Sequence, residues 1–121
     1  MFRLQIQRIY QPIAANDGFR ILVDRLWPRG IKKETAQLDL WAKNIAPSPL
    51  LRKWFNHEAD KFTEFSQQYQ QQLAQNPGAQ SFIQLCYQQL QQQNVTLLYA
   101  AKDPCCNHAL ILQQWLLKQF E

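Results

Sequence analysis

Three cysteines, Cys86, Cys105 and Cys106, are an odd number, and two of them are adjacent, so no conventional disulfide framework can be built from them. Reduced thiols are the expected state. Long apolar runs are missing too: nothing approaches the roughly 18 consecutive apolar residues of a membrane span, which excludes a transmembrane reading. The N-terminal Met1-Phe2-Arg3-Leu4-Gln5-Ile6-Gln7-Arg8 alternates polar and apolar residues, where a secretory signal would show a charged end, an apolar middle and a small-residue cleavage site. The cytoplasm is the expected compartment. There is no Walker A loop, no Gly-x-Gly-x-x-Gly and no Gly-x-Ser-x-Gly, which removes the common nucleotide and hydrolase fingerprints.

What is present is an ordinary globular composition, 46% hydrophobic and 18% charged, in a chain of 121 residues. That length suits one domain able to bury a core without metal or disulfide staples. The net charge of +4 is unevenly placed: residues 1–53 carry ten Lys/Arg against four Asp/Glu, and residues 54–121 carry three against five. A basic half can mark a phosphate- or nucleic-acid-binding face, although a solvated surface gives the same count and is the favoured reading.

Period-two alternation from Phe2 to Ile9 predicts a half-buried strand. After the turn signal Asn16-Asp17-Gly18, Phe19 to Val23 predicts a second strand ending near Asp24, and its Ile-Leu-Val run suggests burial on both faces. The link of about ten residues is short for a parallel crossover, so these two strands are expected to be antiparallel or not adjacent. Leu26 to Gln37 reads as loop with a short helical turn, and Leu38 to Ala46, which fits either period, is assigned to a strand. Ser48-Pro49 caps a short helix, marked by Leu50, Leu51, Trp54 and Phe55, that ends near Asn56 or His57. A second helix runs from about Ala59 to the breaker Asn76-Pro77-Gly78, and a third from Ala79 to Gln93, burying Phe82, Leu85, Cys86 and Leu90. The glutamines between Gln67 and Gln93 fall on the solvent faces of these helices. Asn94 to Ala101 is the most strand-like segment, and a polar loop then leads to a last helix carrying Leu110, Ile111, Trp115 and Leu116. This order implies a layered α/β sheet of about four strands, partly parallel, with helices packed on it.

Three segments carry a family resemblance: Asp17 to Gly30 (DGFRILVDRLWPRG); Asp39 to Ser48 leading into Leu51 to His57; and Val95 to Asp103 with Asn107-His108-Ala109. In this order, and across essentially the whole chain, they resemble the YeaO-like branch of the family called domain of unknown function 488. The resemblance implies a Rossmann-like α/β domain and brings no reaction with it. Wider relatives carry a Cys-His-Arg triplet where this chain has Asn107-His108-Ala109, so a role resting on that cysteine or arginine is not carried over. The pair Cys105-Cys106 is peculiar to this sequence.

Two loops could carry chemistry. Lys102 to His108 leaves the C-terminal end of a strand and opens a helix, the usual address of a ligand in an open α/β sheet. Asn107 is an N-cap candidate beside free backbone N–H groups that suit an anion. The plainer reading is that Asn107 only caps, Asp103 and Pro104 shape a turn, and His108 is a polar first-turn residue. Asp24-Arg25-Leu26-Trp27-Pro28-Arg29-Gly30 also follows a strand, and its two arginines beside an aromatic suit phosphate or carboxylate. Its structural alternative has Asp24 pairing an arginine, Trp27 plugging the core and Gly30 supplying a turn. The loops converge if their strands are parallel neighbours. Arg52 to His57 mixes cations with aromatics as single-strand binders do, but Trp54 and Phe55 are expected in the core and the cations on the surface. Zinc at Cys105, Cys106 and His108 is set aside, because adjacent thiolates serve a tetrahedral ion poorly. A nucleophilic cysteine activated by Lys102 and the helix start is a further hypothesis.

The leading expectation is a small anionic, phosphate-like ligand between these loops. Arg25 and Arg29 would clamp it, Lys102 would neutralise charge, and Asn107 would orient the helix start. Asp24 and Asp103 would orient the cations, with Trp27 and Gly30 completing the site. His108 is the one general acid or base at hand, which leaves enzymatic activity open, and no cofactor is indicated. The rival is a nucleic-acid- or protein-binding module without catalysis.

Overall fold

The computed structural model describes residues 1–121. Strands β1 (Leu4–Arg8), β2 (Phe19–Leu22), β3 (Leu40–Trp41) and β4 (Val95–Tyr99) form one sheet in the order β1-β4-β2-β3. Every pairing is parallel, which goes beyond the partly parallel sheet expected. β1 and β2 are not neighbours, one of the two arrangements the short link between them allows, because β4 lies between them. That link folds back beside β1, where the amides of Gln5 and Gln7 donate to the carbonyls of Asn16 and Pro12.

Burial follows position in the sheet. β4 is central and buried at all five residues, so it shows no alternation. Its polar member, Thr96, donates its hydroxyl to the Asp17 carbonyl at 2.7 Å. β1, at the edge, keeps its polar and apolar alternation and buries only Leu4.

Helices α1 (Lys33–Ala36), α2 (Pro49–Phe55), α3 (Phe62–Gln75), α4 (Ala79–Leu90) and α5 (His108–Gln119) complete the fold. The last four lay Leu51, Phe55, Phe65, Tyr69, Phe82, Cys86 and Leu112 against Ile21, Val23, Val95 and Leu97 in one core. Leu22 and Leu98, which alternate with those strand residues, turn to the other face and meet Ile9 and the half-buried Trp27 and Trp41. The second face is thus covered by the segment between β2 and β3 rather than by a long helix. No helix is long and apolar enough to cross a membrane.

Some expectations change. The strand at Leu38 to Ala46 shrinks to Leu40–Trp41, followed by a single 3-10 turn at Lys43–Ile45. The third long helix stops at Leu90, and Leu85 is only half-buried. Trp54 is not in the core: Leu51 and Phe55, four apart, take the inner stripe of α2, leaving Leu50 and Trp54 on the outer one. There the Lys61 ammonium sits 5.0 Å from the Trp54 ring centroid. Most of the glutamines are exposed, but Gln72 is half-buried and holds Ser48, the N-cap of α2, by accepting its N–H and donating to its hydroxyl, both at 2.9 Å.

Candidate functional site

β2 and β4 pair in parallel, so the loops leaving their C-terminal ends emerge side by side. Between them, the end of β1 and the last turn of α2 lies a hollow of about 1080 Å³. Eight of the nine residues singled out from the sequence line it: Asp24, Arg25, Trp27, Arg29, Lys102, Asp103, Asn107 and His108. Gly30 does not. It is exposed at φ 76° and turns the chain, with open space where a Cβ would stand.

Each of these side chains has a definite employment. His108 opens α5, and its Nε2 lies 2.9 Å from the Val23 carbonyl and 3.1 Å from Asp24 Oδ1. Both neighbours are acceptors, so Nε2 carries the proton and Nδ1 is the nitrogen left for other partners. The Asp24 carboxylate accepts the Ala100 N–H at 3.0 Å through Oδ2, whereas Oδ1 is buried and makes no aligned hydrogen bond. Asp24 therefore ties β2 to the end of β4 and to α5; it pairs with no arginine. Asp103 likewise orients no cation. Its Oδ1 accepts the N–H groups of Cys105 and Cys106, and its carbonyl accepts the Asn107 amide, which builds the turn into α5. Asn107 is buried and caps α5, accepting the Leu110 N–H at 2.9 Å.

Arg25 is half spent: Nε and Nη2 donate to the carbonyls of Pro47 and Ala46, fixing the approach to α2. Trp27 closes its own loop, donating from Nε1 to the Ile31 carbonyl at 2.7 Å and packing edge-on against Trp41. Arg29 and Lys102 are exposed.

The hollow also gathers residues that sequence reasoning did not place here: Arg8, Tyr10, Arg52, Lys53, Asn56 and His57. Arg8 ends β1 and donates from Nε to the carbonyls of Ala100 and Ala101. The strand-end rule that marked the other two loops would have found it. Arg52 to His57 stood out only as a cationic and aromatic run, and nothing in the sequence says that α2 points its last turn at this spot. Six cations thus face the hollow, Arg8, Arg25, Arg29, Arg52, Lys53 and Lys102, against the carboxylates of Asp24 and Asp103. The chain's ion pairs are Arg20–Asp17 and Lys61–Glu58, and Asp24 faces His108, so none of the six has a carboxylate partner.

The thiol beside them is not activated. Burial first, and then the Asp103 carboxylate, raise the Cys106 pKa above its ordinary value, the opposite of what a nucleophile needs. Below the site, burial raises the Tyr69 phenol, whose hydroxyl donates to the Ile45 carbonyl at 2.8 Å and whose ring meets that of His108 edge-on. The hollow can present its cations and the N-terminal turn of α5 to an anion.

Comparison with known proteins adds family membership. The chain is 48% identical over 113 residues to the uncharacterized protein YeaO of Escherichia coli K12, covering 93% of this chain and 96% of that one. It is 35% identical over 114 residues to the uncharacterized proteins Rv3073c of Mycobacterium tuberculosis H37Rv and Mb3100c of Mycobacterium bovis, covering 94% of this chain and 93% of each. No solved structure matches. The family DUF488-N3i, described as the inactive DUF488-N3 subclade, matches residues 3–121, and the chain belongs to this YeaO-like branch of the DUF488 family.

Proposed function

We propose that this protein binds a small anionic, phosphate-like ligand in the hollow between the loops at Arg25 to Arg29 and Lys102 to His108. The observation that carries the reading is the set of six cations around one concavity with no carboxylate partner among them. Like charges held this close repel one another, and a bound anion relieves that repulsion. The position supports it as well, since ligands of open parallel sheets bind beyond the carboxyl ends of the strands.

The reading is one of binding without turnover. The matching family is described as inactive, and His108 directs its Nε2 proton at the Val23 carbonyl. Cys106, the thiol that lines the hollow, has a raised pKa and supplies no activated nucleophile. The rival, contact with a nucleic-acid backbone, is favoured by one observation: Trp54 is 38% exposed on α2, the helix that brings Arg52 and Lys53 to the hollow.

Thermal unfolding with phosphate and sulfate tests the reading. An anion at about 100 times its Kd stabilises the folded chain by about 2.7 kcal/mol, a rise of roughly 10 °C in Tm for a chain of this size. Arg29→Ala should lose most of that rise while keeping the ligand-free Tm, because its guanidinium is exposed. Equal shifts in both proteins, or none in either, would refute the site. Oligonucleotide binding that weakens steeply with salt, without any small-anion effect, would favour the rival.

A further inference from the structure

Resting on the anion-binding reading, we infer that the ligand carries two phosphoryl groups, the second of which is held by the last turn of α2 through Arg52, Lys53 and His57. Charge is the first argument. Six cations against two carboxylates leave a surplus of four positive charges around the hollow. Both carboxylates are already engaged within the loops, Asp24 by Ala100 N–H and Asp103 by the amides of Cys105 and Cys106. A phosphoryl group carries roughly 1.5 to 2 negative charges at pH 7, so one leaves about half the surplus unmatched and two match it. Size agrees, because a hollow of about 1080 Å³ far exceeds what a single phosphate fills and falls near the range of whole organic ligands.

The second argument is the backbone at the end of α2. Asn56 (φ 49°) and His57 (φ 56°) are both left-handed, and the Glu58 N–H donates to the Phe55 carbonyl at 3.0 Å. This is a type I′ turn, whose two central positions suit Asn followed by Gly. Asn56 fits that rule and also caps α2, its N–H donating to the Arg52 carbonyl. His57 breaks it. An imidazole stands where glycine would be free of strain, and it lines the hollow beside Arg52 and Lys53. Strain of this kind persists where a side chain is needed in that place. Cations in the last turn also complement the helix dipole, but that accounts neither for a histidine at this turn position nor for its location.

The division of labour follows. Arg29 and Lys102 meet the first group at the strand ends, with Arg8 and Arg25 held in place by backbone carbonyls, and the α2 turn meets the second. Pyrophosphate is the simplest probe with this pattern. Calorimetric titration of the full chain with orthophosphate and with pyrophosphate, for the wild type, an Arg52→Ala/Lys53→Ala double variant and His57→Gly, tests the inference.

The wild type should bind pyrophosphate at least about tenfold more tightly than orthophosphate, as added charge-assisted hydrogen bonds provide. The double variant should lose that preference, its affinity for pyrophosphate falling by a larger factor than its affinity for orthophosphate. His57→Gly should reduce the preference with no loss of Tm, since glycine suits the turn. Orthophosphate binding with no pyrophosphate preference, or a preference that survives in the double variant, overturns the second subsite and leaves the first standing. Binding of neither anion overturns both readings, and tight, salt-sensitive oligonucleotide binding without pyrophosphate preference replaces them with a nucleic-acid ligand.

Discussion

The carboxylate of Asp24 stands opposite two donors at once: the Ala100 N–H, 3.0 Å from Oδ2, and His108 Nε2, 3.1 Å from Oδ1. An amide in its place has one oxygen and one NH2 group, so whichever way it is turned its NH2 faces a donor. Asp24→Asn should therefore cost about 1–3 kcal/mol, the penalty of leaving a buried donor unmatched. Urea unfolding would show it as a lower midpoint with unchanged slope. An unaltered midpoint would mean that this joint between β2, β4 and α5 does little to hold the site.

A buried charge pair pins the crossover from β2 to β3. Arg20 and Asp17 form an ion pair and are almost fully buried. The guanidinium also donates from Nε and Nη2 to the Ala36 carbonyl, and Asp17 Oδ2 accepts the Ala14 N–H. Arg20→Met strands the Asp17 charge in the interior and should destabilise by about 3–5 kcal/mol. Adding Asp17→Leu should recover part of that loss in the same urea experiment, because the stranded charge is gone. A double variant no better than the single one would show that the backbone contacts matter more than the charge.

Gly18 is indispensable on steric grounds. A Cβ built there falls 2.0 Å from the Asn94 carbonyl oxygen, and φ is 67°. The preceding loop and the start of β4 meet at this point, where Phe19 N–H donates to that same oxygen at 2.8 Å. Gly18→Ala should forfeit several kcal/mol through overpacking and left-handed strain together. Recovery of folded protein and Tm measure it, and a variant within about 1 kcal/mol of the wild type would contradict the close approach.

Alkali should weaken the fold through a buried thiol. Burial pushes Cys86 up to about 12 from an ordinary 9.0. Between those values the folded chain keeps a proton that the unfolded chain releases. The stabilisation is fully present below about pH 9 and falls as pH rises, by at most about 1.4 kcal/mol per unit for this group. The buried Tyr69 phenol, also raised, acts in the same direction at higher pH. Urea midpoints from pH 7.5 to 10.5 should decline, and Cys86→Ala should flatten the early part of the decline even though it lowers the absolute stability. In native protein, iodoacetamide should label the exposed Cys105 and spare Cys86.

How much was legible is clearest at the two loops. Residues 24–30 and 102–108 stand out as ligand addresses by strand-end position and residue type, and the two loops do share a hollow, with Gly30 outside it. Several individual roles went elsewhere. Asp24 takes His108 rather than an arginine, Trp27 closes its own loop, and Asp103 builds a turn. Such employments depend on which backbone carbonyl or amide comes within 3 Å, and that is settled by distant segments such as Ala46, Pro47 and Ala100.

The sequence alone determined β1, β2 and β4, the helices α2 to α5 and most of their inner faces, because alternation in β1 and three-to-four spacing in α2 to α5 are local consequences of backbone period and burial. Tertiary structure alone decided that β4 inserts between β1 and β2, and with that insertion every parallel neighbour was chosen. Strand order depends on contacts between residues some 75 to 90 positions apart, such as Phe19 with Val95 and Leu4 with Val95, which no local pattern encodes. Tertiary packing likewise brings Arg8 from β1 and Arg52 and Lys53 from α2 to the hollow beside Arg29 and Lys102, so the site's charge is a property of the fold.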